Sequence, residues 1–592
     1  MSDVFTDVTR LRKEGRVEEG LRLLRDALRR QQVPAESYER AGRLIARENP
    51  GGVKVRVLGQ CTTAWIPPVL TAVAHERATP MSVKDGDYDN ILQELGRGEA
   101  ADVLVLIPWT QRLFSGDDLQ AAIDGELSFW EAAWAMRGAV KLVQVGYDYT
   151  GAGPAGISLA GLGGERVARV RAMNAALRAR LPKGAAWVDL EQVVGEVGRS
   201  RFYDPRQYHW TKMPWSSEGI VALCRALHAS IRALTTGPKK VLVLDLDNTV
   251  WGGVVGETGP MGVAIRETPD GEAFRAFQTY CAGLTKRGVL LAVASKNNAA
   301  DAREPFEKNP DMVLKLSHFA GFEASWDPKA MALSRLAKTL RLGLDSFVFF
   351  DDNPAEREHI RQALPEVEVV EVPEEPALYV RALEAGSWFE AVGLTAEDAA
   401  RAEQYRAEAE RRTAEENFAS LDDYLTSLAM VADVREVDDA DLERVVQLLG
   451  KTNQFNLTTR RHGTDVVDEL RKDPRAIALS IRLADRFGDH GLVAVMFGVP
   501  HDDETVRVDT WLMSCRVIGR TVEQFSWAKF LDAARLRGYR RVVGEYLPTA
   551  KNAQVAELYD QLGLPVVEGG GEGKVYAATL ETLPEPNHFV RC

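Results

Sequence analysis

The chain has 592 residues, which at roughly 150 per domain predicts about four folding units. Hydrophobic residues make up 45% of it and charged residues 27%, with 49 Gly and 26 Pro, and this excludes a disordered, collagenous or fibrous protein. The net charge of −13 speaks against general nucleic-acid binding, because an acidic surface repels the phosphate backbone; a site for a phosphorylated substrate must be locally positive or hold a metal ion.

The opening MSDVFTDVTRLRKEG lacks the apolar stretch of a secretory signal, and no run of 18 apolar residues occurs, so no membrane association is expected. Five scattered cysteines (Cys61, Cys224, Cys281, Cys515, Cys592) form no CxxC pair. They predict a reduced, cytoplasmic protein without disulfides or structural zinc.

Residues 7–48 read as two amphipathic helices, with Leu21, Leu23, Leu24 and Leu28 marking one apolar face and Tyr38, Leu44 and Ile45 the other. The pair resembles one tetratricopeptide unit, but no repeat follows, so a helical hairpin over 1–49 is expected. After Pro50-Gly51-Gly52, apolar runs at Val53–Leu58, Val103–Pro108, Val140–Val145 and Trp187–Leu190 alternate with helical patterns, predicting a mostly parallel sheet in a domain over 50–237. Gly237-Pro238 resets the chain before a second α/β series over 238–384, with strands at Val241–Leu246, Val289–Ala294, Val313–Leu316, Phe347–Asp351 and Val367–Val372. A charged helical linker spans 385–429. The last domain, 430–592, reads strand, helix, helix, strands around a turn at Asp485–Gly491, then helix, strand and a final helix AELYDQLG.

The strongest chemical signal is VLVLDLDNTVWGG, residues 241–253, where a buried strand ends in Asp245 and Asp247. Carboxylates two apart leave a strand on one side, and at the carboxyl edge of a parallel sheet they meet a crevice. Two such acids repel unless a cation lies between them, and Mg²⁺ prefers oxygen ligands. One carboxylate can attack phosphorus while the other moves protons at the leaving oxygen.

DLDNT and the later elements resemble the haloacid dehalogenase (HAD) superfamily of aspartate-dependent phosphotransferases. The resemblance implies Asp245 as nucleophile and Asp247 as general acid/base. It further implies Thr249, Ser295, Lys296 and Asn297 around the phosphoryl group, and Lys329 in SWDPKA as the neutralising cation. Lys296, next to Ser295, competes for that last role. Asp245, Asp247, Asp351 and Asp352 are the implied Mg²⁺ ligands, with Asp352 direct and Asp351 supporting. Only about twenty residues separate the DxD strand from the next helix, which leaves no room for a substantial cap domain.

WGGVVGE, SKNN and FFDDNPAERE narrow the match to FkbH-like HAD proteins (subfamily IIIC) of polyketide-type pathways. Upstream YDPRQYHWTKMPWSSEG and downstream KTNQFNLTTRR, DRFGDHGLV, LMSCRVIGR and GEYLPTAKN extend it over roughly 50–585. Such proteins are associated with dephosphorylating 1,3-bisphosphoglycerate and delivering a D-glyceryl thioester to the phosphopantetheine arm of an acyl carrier protein. Where a relay cysteine is expected before SKN, this chain has Ala294. Cys281 reads as a core residue.

Residues 430–592 resemble the GNAT acyltransferase fold. The loop Arg516-Val517-Ile518-Gly519-Arg520-Thr521 opens a helix and offers N–H groups to a phosphate. In GNAT enzymes that phosphate belongs to coenzyme A; here Thr521 replaces a small residue, and a phosphopantetheine phosphate is the implied ligand of Arg516, Gly519 and Arg520. Cys515, beside the course of the arm, is a candidate relay thiol. Lys451, Asn453, Gln454 and Asn456 read as pocket lining, and His490 as a turn residue. GQCTTAW resembles the nucleophile position of SGNH hydrolases, but it offers only Cys61, Thr62 and Thr63, and Asp204 and His209 lack the D-x-x-H spacing. The expected fold class is therefore α/β: an uncapped HAD-like parallel sheet flanked by an SGNH-like α/β domain and a GNAT-like α+β domain. The competing readings are a plain phosphatase of a free metabolite and a carrier-docking scaffold.

Overall fold

The computed structural model describes residues 4–592 except 49–50, 115–117, 152, 160, 163–164, 267, 394–419, 452–454, 487, 515–516, 550–551 and 571–572. The chain divides into two compact units, Met1–Lys239 with Arg381–Leu394 and Lys240–Val380 with Thr395–Cys592. Among the described residues no helix is long and apolar enough to cross a membrane.

In the first unit, β1 (Val53–Gly59), β2 (Met81–Asp85), β3 (Val103–Ile107), β4 (Lys141–Val145) and β5 (Ala186–Val188) form an all-parallel sheet ordered β2-β1-β3-β4-β5. Unbroken apolar runs such as VLVLI in β3 are what a strand covered on both faces requires. The polar strand β2, MSVKD, was not legible as a strand because it is an edge strand and only its first residue is buried. The amino-terminal segment forms three helices rather than two, Val4–Lys13, Val17–Arg29 and Tyr38–Glu48. They are part of the first unit's core: Leu24, Leu28, Tyr38 and Ile45 bury with Val55, Val57 and Leu70. Gly42 allows the close packing, since a Cβ there would meet the Pro68 carbonyl oxygen at 1.6 Å.

The second unit carries two sheets. The first joins β6 (Val241–Leu244), β7 (Leu290–Ser295), β8 (Phe319–Ala324), β9 (Phe347–Phe350) and β10 (Glu368–Val369), all parallel, in the order β10-β9-β6-β7-β8. Between β6 and β9 the strand order reverses, and the crevice at such a point is where open α/β sheets bind ligands. The strand expected at Val313–Leu316 lies instead at Phe319–Ala324. The backbone N–H groups of Val313 and Leu314 donate to the Gln278 side-chain oxygen, both at 3.0 Å, so they are unavailable to a ladder. Among the described residues no cap follows β6: those of 245–268 hold one short helix, Val255–Thr258, and isolated bridges between Asp247 and Trp251 and between Gly252 and Ala264.

The second sheet is ordered β11-β12-β13-β14-β15-β17-β16, from β11 (Val431–Glu436), β12 (Ile477–Asp485), β13 (Gly488–Pro500), β14 (Thr505–Met513), β15 (Arg541–Tyr546), β16 (Val566–Gly570) and β17 (Gly573–Thr579). It is antiparallel except at β14–β15, with helices after β11, β14 and β15, which is the arrangement expected of a GNAT fold. The domain does not end at the AELYDQLG helix; the β16–β17 hairpin follows it. Most of the linker expected at 385–429 lies outside the described residues.

Candidate active site

The carboxylates gather at the β6–β9 crevice. Asp245 follows β6 and its N–H donates to the Phe350 carbonyl at 3.1 Å, so the β6–β9 ladder runs straight into the site. Asp351 and Asp352 follow β9, and donor oxygens of Asp245, Asp351 and Asp352 lie within 4.8 Å of one another. Lys329, buried at the start of helix Lys329–Leu340, reaches Asp245 Oδ1 at 2.9 Å and Asp351 Oδ2 at 2.6 Å. Burial acts to lower the Lys329 ammonium, but the charges of Asp245 and Asp351 outweigh it and its pKa is raised. Burial, then the charge of Asp245, pushes Asp351 up to about 7 and also raises Asp352. One lysine against three acids leaves an excess of negative charge on hard oxygen donors, and that donor set fits Mg²⁺.

Asp247 is not part of this triad. Its Oδ1 accepts from Trp251 Nε1 at 2.9 Å and the Val255 N–H at 3.0 Å, and its Oδ2 accepts from Asn297 Nδ2 at 2.9 Å. Three donors fix its orientation, and both of its oxygens are engaged within the protein. The turn that aims it needs Asn248 in the left-handed region (φ 54°), and Asn248 Oδ1 accepts from the Gly253 N–H at 2.9 Å.

Buried Ser295 ends β7, and its Oγ accepts from Asn297 Nδ2 at 3.2 Å. Thr249 Oγ donates to Asp352 Oδ1 at 3.3 Å and accepts from the Asp352 N–H at 3.2 Å, tying the two loops together. Lys296 turns outward and pairs with Glu356 at 2.5 Å, so of the two competing lysines Lys329 is the one among the acids. Two supporting residues were not singled out from sequence: Trp251, and Arg357, whose guanidinium donates to the carbonyls of Asp351 and Asp352 at 2.9 and 2.7 Å. Both stand within motifs quoted from the sequence, Trp251 in WGGVVGE and Arg357 in FFDDNPAERE.

In the C-terminal domain, Cys515, Arg516, Asn453 and Gln454 lie outside the described residues, as does the side chain of Lys451. The Gly519 N–H donates to Glu523 Oε1 at 2.6 Å, and Arg520 is buried with Nη1 3.8 Å from Asp485 Oδ2. The two expected phosphate ligands that are described, out of three, are thus engaged within the domain. His490 is a buried β13 residue bonded to Asp485 Oδ2 at 2.9 Å, not a turn residue.

In the first unit Cys61 is buried and burial pushes its thiol pKa up, the opposite of a nucleophile's requirement. Asp204 caps helix Pro205–Thr211, accepting from the Arg206 and Gln207 N–H groups, while His209 stacks edge-on with Tyr208. Among the described residues no hydrogen bond joins Cys61, Asp204 and His209. Buried Cys224 and Cys281 have raised thiols as well.

No protein-family model matches the chain, and no curated protein matches it. Among solved structures it is similar to the N-terminal part of BF1531 from Bacteroides fragilis, containing a phosphatase domain complexed with Mg: 28% identity, 61% of this chain and 100% of that one, TM-score 0.56. Ard1 from Thermoplasma volcanium (14% identity, 25% of this chain, 97% of its own, TM-score 0.20) and the GNAT domain of PAT from S. lividans (17%, 25%, 90%, 0.21) match a shorter stretch. The likeness to the BF1531 fragment shows the fold shared with this chain, and the mixed sheet has GNAT strand order on its own topology.

Proposed function

We propose that this protein is an FkbH-like, Mg²⁺-dependent phosphatase that removes phosphate from 1,3-bisphosphoglycerate or a close relative and delivers the glyceryl unit to the thiol of an acyl carrier protein. The observation that supports it is the juxtaposition of Asp245, Asp351, Asp352 and Lys329 at the β6–β9 crevice. An Asp245 oxygen attacks phosphorus as the bond to the leaving oxygen breaks, and Asp247 supplies that oxygen with its proton. Water then attacks the aspartyl-phosphate, returns a proton to Asp247 and frees inorganic phosphate. Bound Mg²⁺, held by Asp245, Asp351 and Asp352, supplies positive charge to the phosphoryl oxygens. Lys329 neutralises the remaining carboxylate charge, and Ser295 and Thr249 line the phosphoryl position.

In the same reading, displacement of the acyl phosphate by the carrier thiol forms the thioester and releases the second phosphate. Cys515 is the thiol to examine for an enzyme-bound stage, and its conversion to Ser separates a relay from direct transfer. Mass spectrometry of a phosphopantetheinylated carrier protein incubated with enzyme, Mg²⁺ and 1,3-bisphosphoglycerate tests the whole. A gain of one glyceryl mass is expected; phosphate release with no gain sinks the transferase half. That outcome would leave a plain phosphatase, the reading favoured by Ala294, which is buried in β7 and offers no nucleophile.

A further inference from the structure

The GNAT resemblance implies coenzyme A or a pantetheine arm in the C-terminal domain, with phosphate at the 516–521 loop and the arm passing the end of β14. An amide-bearing arm enters a sheet by pairing with open strand edges. One opening is available to it, because β14 and β15 pair only from Thr505 to Arg507, against Arg541 to Val543, and then separate.

That opening is already occupied by the chain itself. Phe455, Asn456 and Leu457, all buried, lie between the two strands. Toward β14, the Leu457 N–H donates to the Trp511 carbonyl at 3.3 Å, the Met513 N–H donates to the Phe455 carbonyl at 3.1 Å, and Asn456 bridges Leu512 antiparallel. Toward the exit of β15, the Leu547 N–H donates to the Leu457 carbonyl at 2.8 Å, and buried Asn552 donates through Nδ2 to the Asn456 and Leu547 carbonyls, both at 2.9 Å. Nearer the apex, Arg460 spans the gap from the Asp509 carbonyl at 3.2 Å to Glu545 Oε2 at 2.6 Å. Asp509 is the extra residue of a β-bulge, opposite the step from Phe497 to Gly498, and its carbonyl also accepts from Thr458 Oγ at 2.8 Å. The phosphate end is engaged as well: a buried carboxylate, Glu523, already sits on the Gly519 N–H and presents negative charge where a phosphate would arrive.

We infer that the C-terminal domain takes neither coenzyme A nor a pantetheine arm into the β14–β15 opening, and that residues 455–460 are a built-in strand closing the sheet there. The phosphatase reading neither requires nor forbids this, because the HAD site is on another sheet. It does mean that a carrier thiol, if one is acylated, reacts outside this opening.

Titration of the full-length protein with coenzyme A, read by calorimetry and by hydrogen exchange at the Leu457, Met513 and Leu547 amides, tests the inference. No saturable heat up to about 1 mM, with all three amides protected throughout, is expected. Saturable binding that leaves the amides protected puts the ligand elsewhere and agrees with a closed opening. Saturable binding that exposes them overturns the inference. In Asn552→Ala, which removes the side chain holding the segment, faster exchange at Leu457 and Leu547 is expected. Unchanged exchange there would show that the segment is not held as described, and would also overturn it. Phosphate release measured on the same samples reports on the HAD site alone, so its loss would count against the proposed function and not against this inference.

Discussion

Two five-stranded parallel sheets in this molecule meet the same topological situation in opposite ways. In the first unit the strand order reverses between β1 and β3, and the residues there satisfy one another. Gln60 donates to Glu126 at 3.0 Å and accepts from the Trp109 N–H at 2.9 Å, and Tyr147 donates to Glu126 at 2.7 Å. Nearby, buried Asp148 is paired with Arg199 at 2.7 Å and accepts from Tyr203 at 2.9 Å. At the β6–β9 crevice three acids face one lysine, and burial with mutual repulsion raises two of them. A satisfied network holds a fold together; an unsatisfied one is poised to take a cation and an anionic substrate.

If that contrast is functional, substitutions in the two crevices should differ in kind. Asp245→Asn removes the proposed nucleophile, and phosphate release should fall by about 10³-fold or more. Lys329→Met leaves the acids without their internal cation and should cost about 10²- to 10³-fold in kcat. Asn297→Ala frees one oxygen of Asp247 without touching the nucleophile; a loss of about tenfold, with a displaced pH–rate profile, is expected by steady-state kinetics. A fall as large as that of Asp245→Asn would instead place Asn297 on the substrate.

The charge imbalance also has a pH signature. Because Asp351 binds its proton more tightly folded (about 7) than at its ordinary value of 3.8, the metal-free fold loses stability as pH rises through that window. Mg²⁺ needs the ionised form, so its addition should raise the thermal midpoint more at about pH 8 than at about pH 5.5, by scanning calorimetry. An equal rise at both would contradict the raised carboxylates. Smallest of all, Cys61→Ala should leave phosphate release unchanged, because the thiol is enclosed in the first unit's core. A measurable loss would reopen the first crevice as a catalytic site.

The acidic site at the β6–β9 crevice was legible because its chemistry is written locally: acids two apart at a strand end, and a lysine just after a proline at a helix start. What escaped sequence reading was held by distant partners. The clamp on Asp247 comes from Asn297, fifty residues on. The strand misplaced at 313–316 failed because the Gln278 side chain, far upstream, had taken its amides. Lys451, Asn453, Gln454 and Asn456 stand out in the sequence for their polarity; the apolar Phe455 and Leu457 beside them insert between strands separated from them by some fifty and ninety residues. Local chemistry survives in sequence, whereas long-range backbone pairing does not.

The short connection after β6 has a kinetic consequence. With a single turn of helix in place of a cap among the described residues, the proposed reaction requires no inserted domain to close before phosphorus is attacked or to open before phosphate departs. Under the proposed function, turnover then follows bond chemistry and free diffusion. On that reading water is the most abundant acceptor for an aspartyl-phosphate at Asp245, and the phosphoryl group's fate is hydrolysis rather than transfer to another metabolite.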